Sequence, residues 1–366
     1  MKSFKLVLKY LVLSVNVLVV ILMILSAYSD RISPEMSLSF SYLGMMFPLI
    51  CAANFFFVIC WILLTEWKPL LVGIAAFVIC WGPVKNYFPM HQRTKNIPTE
   101  NVIKVLTYNV MAFGYEGHSK DKPNRIIQYI IDSNADIVCL QEYSVQRKGK
   151  MLSASRLRDA LSMYPYRSVV LCDEMGNQEF GVAVFSKYPI SNIRKVNYES
   201  DYNGSSVQTI NIKGKKLTLV NNHLESFKLT TEDRTRYLSF LKGESKDHFS
   251  DWKGAIQQKL GPAFLIRARQ ARTVAQEIKD SKDEYVLVCG DFNDTPISYA
   301  HHTVQGKLID SFSESGRGMG ITYNRNFFYF RIDNILHSSN MKSYNCTIDK
   351  LRYSDHYPLW CYLELK

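Results

Sequence analysis

The pattern of hydrophobic and polar positions divides the chain into two parts. Up to residue 90, long apolar stretches are separated by short polar segments, whereas residues 101–366 carry short apolar runs between polar segments. Apolar runs of roughly four to eight residues are typical of buried strands, and long ones are typical of helices that are apolar on every side. The pattern therefore predicts a membrane anchor over residues 1–90, a polar linker over residues 91–100 and a globular domain over residues 101–366.

The anchor contains three apolar stretches that we predict to be transmembrane helices. They are Leu6–Ala27, Phe40–Leu64 and Pro69–Pro83, and the last is long enough only if it continues past Lys85. A helix needs about twenty such residues to cross a bilayer. Two alternatives stay open, since the first stretch also fits a cleaved signal peptide with its cleavage site near Ser26–Ser29, and the other two fit a buried helix pair.

Basic residues near the ends of these stretches predict the orientation of the anchor. One cluster, at the start of the first stretch, consists of Lys2, Lys5 and Lys9. The second cluster, after the third stretch, consists of Lys85, Arg93 and Lys95. Basic residues favour the cytoplasmic side, and the first helix usually dominates. Three spans from an inside N-terminus predict a multi-pass membrane protein whose large domain is extracytoplasmic, while the second basic cluster favours the opposite side.

The remaining residues form alternating strand-like runs and amphipathic stretches, which predict an α/β domain. Residues 124–133 and 153–163 have helical spacing, and Arg267–Lys279 has the pattern of a helix that leads into the next strand. Before that helix, His248–Leu265 carries aromatic and aliphatic residues at intervals of three to four. This stretch fits either a helix lying on the membrane surface or an ordinary helix packed on the domain.

Polar residues stand at or near the ends of several apolar runs, where packing alone does not explain them. The runs are IKVLTYN ending on Asn109, IVCLQE on Glu142, LTLVNNH on His223, VLVCGDFN on Asp291 and Asn293, RID on Asp333, and YSDH with Asp355 and His356. A buried carboxylate costs several kcal/mol unless it is paired or binds a cation. The set therefore predicts one shared cation site suited to hydrolysis of a phosphate ester.

The order of these motifs resembles that of the endonuclease/exonuclease/phosphatase superfamily, the DNase I-like phosphoesterases. The resemblance covers roughly residues 101–366 and includes the asparagine, QE, histidine, GDFN, aspartate and SDH motifs. It implies a four-layered α/β/β/α sandwich and hydrolysis of phosphoesters with a divalent metal. We expect Mg²⁺, with Mn²⁺ as the alternative, because oxygen ligands outnumber histidines and make Zn²⁺ less suitable.

The resemblance also implies a role for each motif residue on the metal side of the site. Glu142 corresponds to the principal Mg²⁺ ligand, as expected for a hard cation that prefers carboxylate oxygen. Asn109 would help to position the metal and the phosphate, and Asp355 would lie near the metal.

The other motif residues are implied to carry the chemistry. Asp291 would orient and deprotonate the attacking water, and Asn293 would bind a non-bridging phosphate oxygen. His356 would stabilise charge on the phosphate, with Asp333 holding its productive tautomer. His223 matches a second histidine of the DNase I and sphingomyelinase branches, where it aids the leaving oxygen or the phosphate.

Charge and composition limit the choice of substrate only in part. The net charge is +11 and the pI about 9.1, which attracts nucleic acid and anionic lipid equally. The eight cysteines show no spacing typical of a metal site or disulfide framework.

We predict a membrane-anchored Mg²⁺-dependent phosphoesterase whose substrate is lipid-linked or membrane-proximal. The alternatives are an extracytoplasmic DNase I-like nuclease and a non-catalytic membrane protein that binds a phosphorylated partner.

Overall fold

The computed structural model describes residues 2–119, 121–147, 152–198, 200, 202–228, 248–325 and 328–366. A group of helices at the N-terminus is followed by two large β-sheets with helices on their outer faces. The helices are α1 Lys2–Ala27, α2 Leu38–Met45, α3 Phe47–Leu63, α4 Trp67–Ile79, α5 Trp81–Tyr87, α6 Arg125–Ser133, α7 Ala154–Ala160, α8 His248–Asp280, α9 Tyr299–Gln305 and α10 Ser311–Ser315.

The strands form two six-stranded sheets and a separate hairpin. They are β1 Val102–Asn109, β2 Ile137–Gln146, β3 Tyr166–Met175, β4 Gln178–Ser186, β5 Ile190–Lys195, β6 Gly204–Ile212, β7 Lys215–His223, β8 Tyr285–Asp291, β9 Ile309–Asp310, β10 Tyr323–Arg325, β11 Phe328–Phe330, β12 Asp333–His337, β13 Met341–Ile348 and β14 Leu359–Leu365. The first sheet has the order β13-β14-β1-β2-β4-β3 and the second β5-β6-β7-β8-β12-β9, while β10 and β11 form the hairpin.

The two sheets pack face to face, as the family resemblance implies. The core between them includes Val105 and Ile137 of the first sheet and Leu219 and Leu287 of the second. Helices α6 and α7 cover the outer face of the first sheet, and α8 and α9 cover that of the second. This arrangement confirms the predicted α/β/β/α layers, because each sheet buries one face on its partner and the other on helices.

Parallel pairing brings the polar strand ends together. Strand β1 runs parallel to β2 with Asn109 opposite Gln141, and β7 runs parallel to β8 with His223 opposite Asp291. Strand β12 is antiparallel to β8 and begins with Asp333 opposite Asp291. Because parallel strands end at the same edge of a sheet, the motif residues collect at one edge of the sandwich.

Three backbone positions at this edge adopt left-handed geometry. Gly290 has φ +127°, and a Cβ there would stand 2.0 Å from the carbonyl oxygen of Asn222, so the close approach of β7 and β8 requires glycine. Glu142 has φ 49° at a bulge in β2, and Asn293 has φ 51°. Such positions in non-glycine residues are uncommon and cluster at functional sites.

The predicted amphipathic helices are present with adjusted ends. The Asn124 side chain caps α6 by accepting hydrogen bonds from the backbone N–H groups of Ile126 and Ile127. Helix α7 is shorter than predicted. The two stretches predicted around residues 248–279 form one continuous helix, α8. Leu260 and Phe264 are buried, so this part of α8 packs as an ordinary helix, while the side chains of residues 248–257 lie outside the described residues.

The N-terminal helices differ from the three straight spans that the sequence predicts. Residues Phe4–Arg31 form a helix long and apolar enough to cross a membrane. The described chain has one such helix, or up to three spans if each bent pair counts as one. The axes of α2 and α3 meet at a bend of 56°, and those of α4 and α5 meet at a bend of 69°. The prediction of continuous second and third helices is wrong because Pro48 and Pro83 each lack an N–H and clash with the preceding turn.

The N-terminal helices are docked on the domain through both apolar and polar contacts. Ile297, shortly after the GDFND motif, belongs to an apolar cluster that includes Met23 and Phe47. The carboxylate of Glu35 pairs with Arg269 and Arg272 of α8.

The predicted polar linker is also tied to the domain. The backbone N–H of Thr94 donates to Asn345 Oδ1 at 2.7 Å, and Asn345 Nδ2 donates back to the Thr94 carbonyl at 3.0 Å. The boundaries at residues 90 and 100 stay predictions, but this contact joins the linker to the domain.

Candidate active site

One amide holds two carboxylates, that of Glu142 at the bulge within β2 and that of Asp291 at the end of β8. Asn109 Nδ2 donates to Glu142 Oε1 at 3.0 Å and to Asp291 Oδ2 at 3.1 Å. Asn109 Oδ1 accepts from the backbone N–H of Met111 at 3.1 Å. In this orientation Asn109 presents N–H groups to the carboxylates, so its predicted part in metal binding stays a prediction and its observed contact is with the acids.

A histidine–aspartate pair lies beside Asp291. His356 Nδ1 is 2.8 Å from Asp333 Oδ2, and His356 Nε2 is 3.6 Å from Asp291 Oδ2. The ring of Tyr323 packs edge-on against His356 at 5.1 Å between centroids. The contact with Asp333 places a proton on Nδ1, while the role of this pair, which the resemblance implies, stays a prediction.

Burial and charge set the protonation of this pair. Burial raises the pKa of Asp291 to about 6. Burial by itself lowers the pKa of His356, but Asp333 and Asp291 outweigh it and hold that pKa well above its usual range. Near neutral pH the geometry therefore favours a carboxylate that can accept a proton beside an imidazolium that can donate one.

The second predicted histidine faces the same carboxylates from β7. His223 Nε2 is 3.8 Å from Asp291 Oδ2 and 3.9 Å from Glu142 Oε1. Burial lowers the pKa of His223. Asn203, immediately before β6, places its Nδ2 at 3.0 Å from His223 Nε2. His223 is therefore a neutral, hydrogen-bonded member of the site.

Asn293 is held directly beside Asp291. Its backbone N–H donates to Asp291 Oδ1 at 2.8 Å, and its Nδ2 donates to the carbonyl of Leu224 at 2.9 Å. The left-handed backbone of Asn293 allows the chain to turn back at this point.

The donor atoms at this edge fit a divalent cation. Glu142 is 38% exposed to the cleft, and its pKa is raised by burial and then by the negative charge of Asp355. Oδ1 of the buried Asp333 has no hydrogen-bond partner among the described residues. A bound cation would offset the repulsion between the charges of Asp355 and Glu142, and oxygen donors suit Mg²⁺ or Mn²⁺. Asp355 contacts Arg325 Nη1 at 3.3 Å on the hairpin.

The structure brings every predicted site residue to this one edge, although the role of each stays a prediction. Sequence reasoning missed Asn203, Tyr323 and Arg325, which contact His223, His356 and Asp355. Asn203 has no local signal, since only the pairing of Gly204 with His223 brings it to the site. Tyr323 and Arg325 lie on a short hairpin whose pairing with the catalytic edge is visible only in the tertiary structure.

Comparison with known proteins agrees with this geometry. The Endonuclease/Exonuclease/phosphatase family model matches residues 106–356, and a domain of unknown function (DUF8431) matches residues 9–87. A comparison with curated proteins gave no match.

Solved structures share the fold at low identity. An endonuclease/exonuclease/phosphatase from Beutenbergia cavernae DSM 12333 is similar with a TM-score of 0.51 and 15% identity, covering 73% of this chain and 72% of that one. The endonuclease/exonuclease/phosphatase from Bacteroides vulgatus has a TM-score of 0.51 and 20% identity, covering 73% of this chain and 100% of its own. At these identities the likeness is one of fold.

Proposed function

Because the chain belongs to the endonuclease/exonuclease/phosphatase family, whose members are metal-dependent hydrolases of phosphoester bonds, we propose that it is a membrane-anchored, Mg²⁺-dependent phosphoesterase. The observation that carries the proposal is the convergence of Glu142, Asp291 and the His356–Asp333 pair at one edge of the sandwich. A base, an imidazolium and oxygen ligands within one site are the groups that hydrolysis of a phosphate ester requires.

Each residue of the site would have a distinct role in hydrolysis. Asp291 accepts a proton from the attacking water, since its Oδ2 is held by Asn109 and its Oδ1 by the backbone of Asn293. His356, kept protonated by Asp333, donates a hydrogen bond to the phosphate. The hydrogen of Asn293 Nδ2 that is not bonded to Leu224 can do the same. Mg²⁺, or Mn²⁺, held by Glu142 and Asp355 would supply neutralisation of the phosphate charge.

We propose that α1 and the two bent pairs, α2 with α3 and α4 with α5, each make one span of the bilayer, with α2 and α5 at the end that contacts the domain. Large apolar side chains point outward from these helices, among them Leu11, Leu18, Phe55, Phe56 and Leu71. Polar groups lie inside instead: Trp61 Nε1 donates to Asn16 Oδ1 at 2.9 Å, and Asn54 Nδ2 donates to the Gly73 carbonyl at 3.0 Å. An apolar exterior with a polar interior suits lipid, where buried polar groups join helices, and is costly in water.

The proposed orientation places Lys366 and the catalytic domain on the extracytoplasmic side. Fusing alkaline phosphatase after Lys366 is expected to give an active reporter, and fusing a fluorescent protein that matures only in the cytoplasm is expected to give a dark one. Because the predicted orientation depends on the N-terminal lysines, a variant with Lys2, Lys5 and Lys9 replaced by glutamine serves as a comparison. Cytoplasmic fluorescence without phosphatase activity from the unaltered chain would contradict the orientation.

We propose a lipid-linked or membrane-proximal phosphoester, such as a sphingomyelin-like lipid or a polyprenyl pyrophosphate, as the substrate. The support is the position of the anchor beside the site. Tyr42 of α2 packs edge-on against Phe264 at 5.5 Å, and Phe264 packs in the same way against Phe227, in the loop that follows His223. Tethering a site to a bilayer raises the effective concentration of substrates in that bilayer.

The test is a pair of assays on the full-length protein reconstituted in lipid vesicles. We expect release of phosphate or headgroup from a lipid phosphoester with Mg²⁺, none with EDTA, and little nicking of plasmid DNA. The Asp132→Asn variant, which alters an exposed acid on α6, is the matched control and should retain activity. Plasmid nicking without lipid hydrolysis would favour the nuclease, and phosphate binding without any hydrolysis would favour the non-catalytic alternative.

A further inference from the structure

Asn203 is a buried residue whose amide lies between His223 and the loop that follows it. It is 3% exposed and immediately precedes Gly204, which pairs with His223 across β6 and β7. Its Nδ2 is 3.0 Å from His223 Nε2 and 3.0 Å from the carbonyl oxygen of Leu224. Asn203 is not one of the motif residues, although it contacts one of the site histidines directly.

The Leu224 carbonyl determines which way the Asn203 amide faces. A carbonyl oxygen only accepts hydrogen bonds, so the atom of Asn203 next to it must be the nitrogen, since the reversed amide would set two acceptors against each other. The same carbonyl accepts from Asn293 Nδ2 at 2.9 Å, which fixes its position. The nitrogen of Asn203 carries two hydrogens, one for Leu224 and one for His223.

His223 must then accept a hydrogen bond at Nε2. A ring nitrogen that accepts carries no proton, so the proton of His223 resides on Nδ1. Nε2 is also the ring nitrogen nearest to Asp291 Oδ2, at 3.8 Å, and to Glu142 Oε1, at 3.9 Å. Without a proton on Nε2, His223 does not donate to either carboxylate.

We propose that Asn203 is a positioning residue that keeps Nε2 of His223 unprotonated, so that Asp291 and Glu142 remain available to water and cation. Without this amide, Nε2 is free to take the proton and to bond to the two carboxylates, competing with both ligands. The proposal rests on the proposed function for its effect on catalysis, whereas the position of the proton on His223 does not depend on it.

The first measurement is the tautomer of His223 in the full-length protein. The two ring nitrogens of a neutral imidazole have well-separated ¹⁵N chemical shifts, and the His223→Gln variant assigns the signals. We expect the wild type to carry its proton on Nδ1. In Asn203→Asp the carboxylate can only accept, so the proton is expected to move to Nε2. A wild-type proton on Nε2, or no change in Asn203→Asp, would overturn the proposal.

The second measurement is hydrolysis by the same variants. Loss of a partner that orients a site residue typically costs about ten- to a hundredfold in activity or metal affinity. We expect that loss in kcat for Asn203→Asp and Asn203→Leu, with weaker Mg²⁺ binding and little change in KM. Asn192→Asp, which places the same substitution on the exposed strand β5, is the matched control and should behave as wild type.

The outcomes separate the proposal from a merely structural role and from failure of the proposed function. A structural role predicts that Asn203→Leu lowers the melting temperature and kcat while the His223 signals of Asn203→Asp keep the wild-type pattern, which would contradict the proposal. If the wild type hydrolyses no phosphoester while the tautomer responds to Asn203→Asp, the proposed function fails and the positioning of His223 stands.

Discussion

Replacing Asp291 by asparagine, or His356 by alanine, is expected to lower kcat on the order of 10³-fold or more, with far smaller changes in KM. Asparagine matches aspartate in shape but keeps one acceptor oxygen, so it can accept from Asn109 Nδ2 or from the Asn293 N–H but not from both, and it cannot take a proton from water. Alanine removes the imidazolium that Asp333 holds at 2.8 Å and leaves that buried carboxylate without its partner. Steady-state kinetics on the substrate of the vesicle assay measures both effects.

Controls for these variants separate chemistry from folding. His302→Ala, at a partly exposed histidine on α9 away from the site, should retain kcat. Because His356→Ala leaves an unpaired buried carboxylate, its melting temperature should be measured, and the double variant with Asp333→Asn removes that charge. Turnover within a few fold of wild type in a folded Asp291→Asn or His356→Ala protein would show that the assigned role of that residue is wrong.

Replacing Glu142 by alanine is expected to abolish Mg²⁺-dependent hydrolysis while the protein stays folded. Glu142 is the most exposed carboxylate of the cleft, and the charge of Asp355 opposes its own. Removing it takes away an oxygen ligand and also relieves that repulsion when no cation is bound. A ligand that binds only the native state raises its stability, so Mg²⁺ should raise the melting temperature of wild type and not of the variant.

The Glu142→Gln variant refines this test. Glutamine keeps an oxygen that can accept from Asn109 and preserves the side-chain volume at the bulge, yet it carries no charge to attract the cation. We expect its melting temperature without metal to equal or exceed that of wild type, and its response to Mg²⁺ to be lost. Full Mg²⁺-stimulated hydrolysis by either variant would remove Glu142 from the metal site.

The order of elements and most of the site follow from local patterns. Apolar runs that end on Asn109, Glu142, His223 and Asp291 predict strands, and strands that run parallel deliver their ends to one edge. The structure confirms these strands, the amphipathic helix capped by Asn124, and the convergence of the motif residues. Such features can be predicted from the sequence because each depends on a short stretch of chain and on a general rule of sheet geometry.

Other features depended on contacts between distant segments. Glu142 reaches the site from a left-handed position at a bulge in β2, which no pattern in IVCLQE indicates. Asn203 contacts His223 only because β6 pairs with β7 in one register. Pro48 and Pro83 signal breaks in the apolar stretches, but the contacts made by α2 and α5 on the domain appear only once the chain is folded.

The sequence by itself determined the class of the chain: two kinds of segment, the strands and their polar ends, and the family motifs of residues 101–366. The tertiary structure decided which side chains meet, which histidine is paired with an acid and which with an amide, and how the anchor lies beside the site. The physical reason is that hydrophobic periodicity acts over a few residues, whereas proton positions and charge pairing depend on atoms within about 4 Å that come from anywhere in the chain.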